Sequence, residues 1–213
     1  VKNTVRVAVL AAVAVVAAAC SNESDGQAEP EGSLSPSAPS SAPASSEASS
    51  NLPHSGAPAV DNPLPKSALG GDVCTEALTE AQAKELLGDA VTSKSSDSST
   101  LGPGCSWSNQ SSHAGFTLNY DVNGGQGISA AYANAKPKMD QFTETDPIGG
   151  FPVVQYRDND DDRTCTSMVG LADEYAAVMT LTIGTEGAET GQNPCEASLL
   201  VLERVVGNLK EKS

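Results

Sequence analysis

The sequence predicts an α+β domain: an antiparallel sheet of about five strands with three helices, stapled by two disulfides. Three observations carry this reading. Phe116, Leu118, Tyr120 and Val122 alternate with Thr117, Asn119 and Asp121, and the stretch from Tyr175 to Ile183 alternates in the same way. A period of two marks a strand with one buried face. Cys195, Leu199, Leu202, Val206 and Leu209 recur in steps of four and three, which marks a helix with one apolar side. Four of the five cysteines lie after residue 70, an even number suited to disulfides in an exported chain.

Each element has its own signal. Thr79 and Gln82 fit a capping box with Leu78 as hydrophobic staple, and Gly88 closes the helix that follows, over about 79–88. Residues 92–100 read as a polar, Ser-rich loop. Cys105 and Trp107 share one face of a short strand, Gln110 to Gly115 turns the chain, and the alternating strand at 116–122 follows. Ile128, Ala131, Tyr132 and Ala135 are spaced for a second helix, with Pro137 near its end and Met139 and Phe142 extending its apolar side. Three further strands are predicted at 151–156, 164–171 and 175–183, with Asp173-Glu174 turning between the last two. The closing helix starts at Asn193 as N-cap, with Pro194 at its first position and Glu196 in the first turn.

The segments before the domain have a different composition. Lys2 and Arg6 precede Val7–Ala19, an unbroken run of 13 apolar residues. A bilayer-spanning helix needs about 20, so residues 1–19 read as a signal peptide. Ala17-Ala18-Ala19-Cys20 is similar to a bacterial lipobox, although Leu is commoner where Ala17 stands. Cys20 is then the expected lipidation site, and two or more acyl chains give stable anchoring. Residues 20–60 read as a disordered tether: positions 21–60 hold 12 Ser, 7 Ala and 6 Pro and no aromatic, Lys or Arg. The domain is expected over 61–213.

This division explains the bulk figures. The 213 residues are only 38% apolar and 4% aromatic, with a net charge of −15. Without Lys2 and Arg6, ten basic residues face 27 acidic ones, a charge of −17. Such acidity excludes nucleic acid as a partner and excludes binding to anionic lipid through a basic patch.

Cys74, Cys105, Cys165 and Cys195 allow three pairings. Two separations, of 31 and 30 residues, favour Cys74–Cys105 and Cys165–Cys195, each tying a helix start to a hairpin. The chain also resembles a known family. The features that carry the resemblance are the lipobox and tether, Val73-Cys74, Leu86-Leu87-Gly88, Gly104-Cys105-Ser106-Trp107, Cys165, and Asn193-Pro194-Cys195-Glu196-Ala197. Together, over about residues 55–211, these resemble the actinobacterial lipoprotein family catalogued as domain of unknown function 3558. Members usually have Pro before the first cysteine, where this chain has Val73. The resemblance implies an extracytoplasmic lipoprotein with two disulfides and implies no activity.

No catalytic or cofactor motif stands out. The two histidines, His54 and His113, fall in the tether and in a hairpin turn, and no Gly-x-Ser-x-Gly elbow accompanies them. Cys-x-x-Cys spacing is absent, so no zinc site is expected. Gly124-Gly125-x-Gly127 is too short for a phosphate loop. The acidic run 158–162 has oxygen ligands at alternate positions. Arg163 replaces the Gly of a calcium loop and Val169 its bidentate Glu, so a solvated turn is the better reading. Trp107 is a candidate ligand contact if it does not pack on the disulfide. The expectation is therefore a non-enzymatic binding or interaction module at the outer face of the cell membrane, meeting an envelope protein or a small ligand. The alternative is a lipid or small-molecule carrier with a cavity between sheet and helices.

Overall fold

The computed structural model describes residues 51–159 and 163–213. The expected signal peptide, Cys20 and the tether to residue 50 lie outside the described residues, as do Asp160, Asp161 and Asp162 of the acidic run. The described residues fall in one compact unit.

In chain order the elements are α1 (Val73–Glu76), α2 (Glu80–Leu87), β1 (Thr92–Ser98), β2 (Gly102–Asn109), β3 (Ala114–Asp121), α3 (Ser129–Asn134), β4 (Gln141–Ile148), β5 (Phe151–Arg157), β6 (Thr164–Gly170), β7 (Ala176–Thr182), α4 (Thr185–Glu189) and α5 (Pro194–Glu211). A 3₁₀ turn, Lys66–Leu69, precedes α1. The strands form one sheet in the order β1-β2-β3-β7-β6-β5-β4, antiparallel at every pairing. Two meanders, β1–β3 and β4–β7, are thus joined side by side where β3 pairs with β7.

The α+β class and the antiparallel sheet agree with the sequence reading, but the described residues hold seven strands rather than about five and five α-helices rather than three. Thr92–Ser98 contains no apolar residue, so the sequence pattern gives a loop where the structure has β1. It is an edge strand, exposed at every position but the last, held by its backbone pairing with β2 and by Ser95 Oγ, which donates to Asp72 Oδ1 at 3.1 Å. In β4, Phe142 fits a helical step and so extends the apolar side of the second helix in the sequence pattern. Phe142 instead pairs with Tyr156 of β5. α1 and α4 are of four and five residues, too short to show a period.

Alternation along the strands gives the sheet two different faces. On the first, Cys105, Trp107, Phe116, Leu118, Val153, Val169, Met179 and Leu181 meet α2 and the Val201, Leu202, Val205, Val206 and Leu209 stripe of α5. On the second, Val154, Met168 and Ala176 meet Ile128, Ala131 and Tyr132 of the α3 segment.

The helix starts are built as their sequences indicate. Thr79 Oγ1 accepts from the Gln82 amide at 3.2 Å, and Gln82 Oε1 accepts from the Thr79 amide at 2.8 Å. Asn193 Oδ1 accepts from the Cys195 amide at 2.9 Å, with Pro194 in the first turn. Asp72 does the same for Cys74 at 2.9 Å. Each such cap stabilises by about 1 kcal/mol.

The disulfides are Cys74–Cys105 and Cys165–Cys195, each with Cα atoms 5.1 Å apart. The first fixes α1 to β2 and the second fixes the start of α5 to β6. Beside the second lies a buried polar knot. Gln155 Nε2 donates towards Ser167 Oγ (2.9 Å), Ser198 Oγ (2.9 Å) and the Cys195 carbonyl (2.8 Å). Ser198 Oγ donates back to the same carbonyl at 2.8 Å.

Residues 51–60, read from composition as the end of the tether, lie along the domain. The His54 amide donates to Ser129 Oγ at 3.0 Å and the Val60 amide to Asp173 Oδ1 at 2.9 Å, and Val60 is buried. Pro53 and Pro58 reduce the entropy that ordering this segment costs.

The knot yields a stability test. Gln155→Ala removes a two-proton donor from the cluster of Ser167, Ser198 and the Cys195 carbonyl and leaves a gap between β5 and α5. A loss of about 2–3 kcal/mol is expected in urea unfolding with the disulfides intact. A loss below about 0.5 kcal/mol would show that the knot contributes little.

Candidate binding face

Away from the α3 cover, where Met168, Ala176 and Val178 lie, the second face of β2, β3, β7 and β6 is polar. Strand register arranges its side chains in rows. One row is Ser106, Thr117, Thr180 and Thr166, each opposite the next. The row beside it is Ser108, Gly115, Thr182 and Thr164. Neighbours are about 4.8 Å apart across the strands and the rows about 6.7 Å apart along them. The hydroxyls bond to one another: Ser106 to Thr117 at 2.9 Å, Thr166 to Thr180 at 3.1 Å and Thr164 to Thr182 at 3.3 Å.

None of these eight residues is charged, and none is buried. Lys94 of β1 stands opposite Ser106 at one end of the first row. Tyr156 stands opposite Thr166 at the other, with Phe142 beyond it. The Phe142 and Tyr156 rings are parallel, with centroids 6.2 Å apart, and Tyr132 of α3 meets Phe142 edge-on at 5.2 Å. Lys136 Nζ sits 4.7 Å from the Tyr132 ring centroid and 3.1 Å from a Glu144 carboxylate oxygen.

The face is not flat. A shallow hollow of about 540 Å³ opens at the β2–β3 hairpin end, lined by Ser106, Ser108, Asn109, His113, Thr117 and Thr182 among others. Gly115 lies in its floor. A Cβ there would stand 2.7 Å from the Trp107 carbonyl, so close strand approach requires glycine at this position. A smaller hollow of about 130 Å³ lies between sheet and helices, near Leu87, Phe116, Leu181 and Val201.

Trp107, the candidate ligand contact, lies on the opposite side of β2. It is 2% exposed and packs on Phe116 with ring centroids 5.1 Å apart. Its position two residues from Cys105 sends both side chains into the core, so its ring has no open face to offer. His113 and His54 are far apart in their contacts. His113 Nδ1 lies 3.4 Å from Thr185 Oγ1, and His54 Nδ1 lies 3.0 Å from Ser55 Oγ. Among the described residues no group of three His, Cys, Asp or Glu side chains is placed to hold a metal ion. No described helix is long and apolar enough to cross a membrane.

Burial perturbs several acids. It raises the carboxyl of Asp121, partly opposed by the Gly124 amide, which donates to Oδ1 at 3.0 Å. All four tyrosines are raised. Burial is the main cause at each, reinforced by Glu76 at Tyr120, Asp121 at Tyr156 and Glu174 at Tyr175. Tyr132 is pushed up to about 12 by burial and by Glu144.

The hydroxyl rows were not singled out in the sequence. Their signal was present as the polar phase of each alternating strand. Only the β3–β7 pairing, between residues some sixty positions apart, makes a surface of them.

Fold and site together define an antiparallel α+β domain, covered by helices on one face, partly open on the other and stapled by two disulfides. The model of the family described as a protein of unknown function (DUF3558) matches residues 15–208, and the chain belongs to that family. No curated protein and no solved structure matches it.

The tyrosines predict an alkaline response. A phenol whose folded pKa exceeds its unfolded value ionises first in the unfolded chain, so stability falls as pH rises above about 10. Absorbance at 295 nm should show little phenolate in the native protein near pH 10, and full phenolate only on unfolding. Four phenols titrating near their ordinary value in the native state would contradict the burial described.

Proposed function

We propose that the protein is a non-enzymatic binding module, anchored by lipid on Cys20 to the outer face of the cell membrane and presenting the open half of its sheet to a ligand. The single observation that carries the binding role is the pair of uncharged hydroxyl rows on a domain whose other face is sealed by disulfide-tied helices. The anchor reading is supported by the charged start, the 13-residue apolar run and the small residues before Cys20. Composition supports a tether between anchor and domain. The carrier reading gains less support. The apolar-walled hollow near Phe116, Leu181 and Val201 is about 130 Å³, whereas sites for small molecules run from about 300 Å³; the hollow of about 600 Å³ between β4 and α5 is walled mainly by Thr143, Glu144, Thr145, Asp146 and Glu203, not by the apolar side chains a lipid needs.

Two measurements test this. Cys20→Ala should move the protein from the membrane fraction to the medium or the soluble extracytoplasmic fraction. Retention in the membrane would remove the lipid anchor. A photo-crosslinking residue at Thr180 should capture a reproducible envelope component in intact cells, and one at Glu203 on α5 should not. Equal capture from both positions, or from neither, would count against a dedicated face.

A further inference from the structure

We infer that the open sheet face binds a neutral glycan chain laid across the strands; this rests on the binding-module reading above. The first argument is charge. The chain carries −15, yet two rows across four adjacent strands hold no charged side chain. A solvated strand face ordinarily mixes Lys and Glu with Thr. Here, a cationic ligand would find no carboxylate in the rows, and an anionic ligand would meet the repulsion of the whole acidic molecule. A neutral ligand meets neither obstacle.

The second argument is hydrogen-bonding chemistry. A hydroxyl both donates and accepts, and its hydrogen rotates to suit its partner. A row of Ser and Thr side chains therefore matches a ligand whose own groups are hydroxyls in varied orientations. The pairs Ser106–Thr117 and Thr166–Thr180 already bond to each other at 2.9 and 3.1 Å, which uses one proton of each pair and leaves the other proton and the remaining lone pairs for a ligand. The third argument is dimension. From Ser106 to Tyr156 the row spans four strand gaps, about 19 Å. Its repeat is comparable with the rise of one sugar unit, so successive units would meet equivalent hydroxyls. Tyr156 ends the row with a partly exposed aromatic ring, a surface suited to the C–H face of a sugar.

The test uses the full chain extracted in detergent. It is titrated with short linear gluco-, manno- and galacto-oligosaccharides while amide NMR shifts are followed. The expected result is a shift map centred on Ser106, Thr117, Thr180 and Thr182. Thr117→Val, Thr180→Val and Thr182→Val combined keep shape and remove three hydroxyls; binding should weaken about tenfold or more. If that variant melts early, Thr180→Arg alone serves as a block at an exposed position. No shift with any oligosaccharide, a map on another surface, or unchanged binding by the variants would overturn the inference. Failure here is distinguishable from failure of the binding-module reading. Should the crosslinker at Thr180 capture an envelope protein while no sugar binds, the face is a protein-binding one and only the glycan falls.

Discussion

The docking of α5 is the constraint on which the rest of the structure depends. A sheet of seven antiparallel strands has a broad apolar face that one amphipathic helix must largely cover. α5 does so with Val201, Leu202, Val205, Val206 and Leu209, all buried. Hydrophobic contact alone is non-directional and would tolerate sliding along the sheet. The Gln155 knot and the Cys165–Cys195 bond remove that freedom at the start of the helix. At its other end, Lys212 Nζ donates to the Gly70 carbonyl at 2.9 Å and pairs with Glu76 at 3.0 Å.

From α5 the constraint passes to α2. Gln82, which completes the α2 capping box, also accepts from Asn208 Nδ2 of α5 at 2.8 Å, and Asn208 donates to the Ala77 carbonyl at 2.9 Å. A local capping device thus doubles as a helix-to-helix clamp. The Cys74–Cys105 bond then ties the same α1–α2 segment to β2. In the chain-entropy account a bridge closing a loop of 31 residues stabilises by about 3–4 kcal/mol. The two bridges therefore secure the two meanders separately: one to α1 through β2, the other to α5 through β6. Among the described residues the strand pairing between the meanders is β3–β7, and one continuous apolar core runs beneath it.

What was legible in the sequence follows from where burial was one-sided. β3, β6 and β7 each bury alternate residues under α5 or α2, and their alternation was plain. β1 buries neither face, so its residues carried no period, and propensity gave no hint either, being Ser-rich. In β4, the bulge between Thr145 and Ile148 interrupts the pairing, and Phe142 sits where a helical step from Met139 would also place it. The caps at Thr79 and Asn193 were legible because side-chain chemistry fixes them within three residues. Trp107 was assigned to the correct side of β2, together with Cys105; only the exposure of that side was open. The hydroxyl face was not legible as a surface. Each strand declared a polar side, but nothing local states that Thr117 and Thr180 are neighbours.

The second face shows why the open half is more than a consequence of being left over. Over β5, β6 and β7 it is covered by Ile128, Ala131 and Tyr132 and by the segment at 51–60, and there the sheet supplies Val154, Met168 and Val178. One step along the same strands, the residues change to Tyr156, Thr166 and Thr180. The boundary between apolar and hydroxyl residues follows the edge of the α3 cover rather than the edge of any strand. A face meeting only solvent would be free to carry charge, which costs nothing in water and aids solubility. The two rows hold no acidic residue, and their hydroxyls bond in pairs within β2–β3 and within β6–β7. Its neutrality is therefore a property of the surface as a unit, as a ligand of matching chemistry would require.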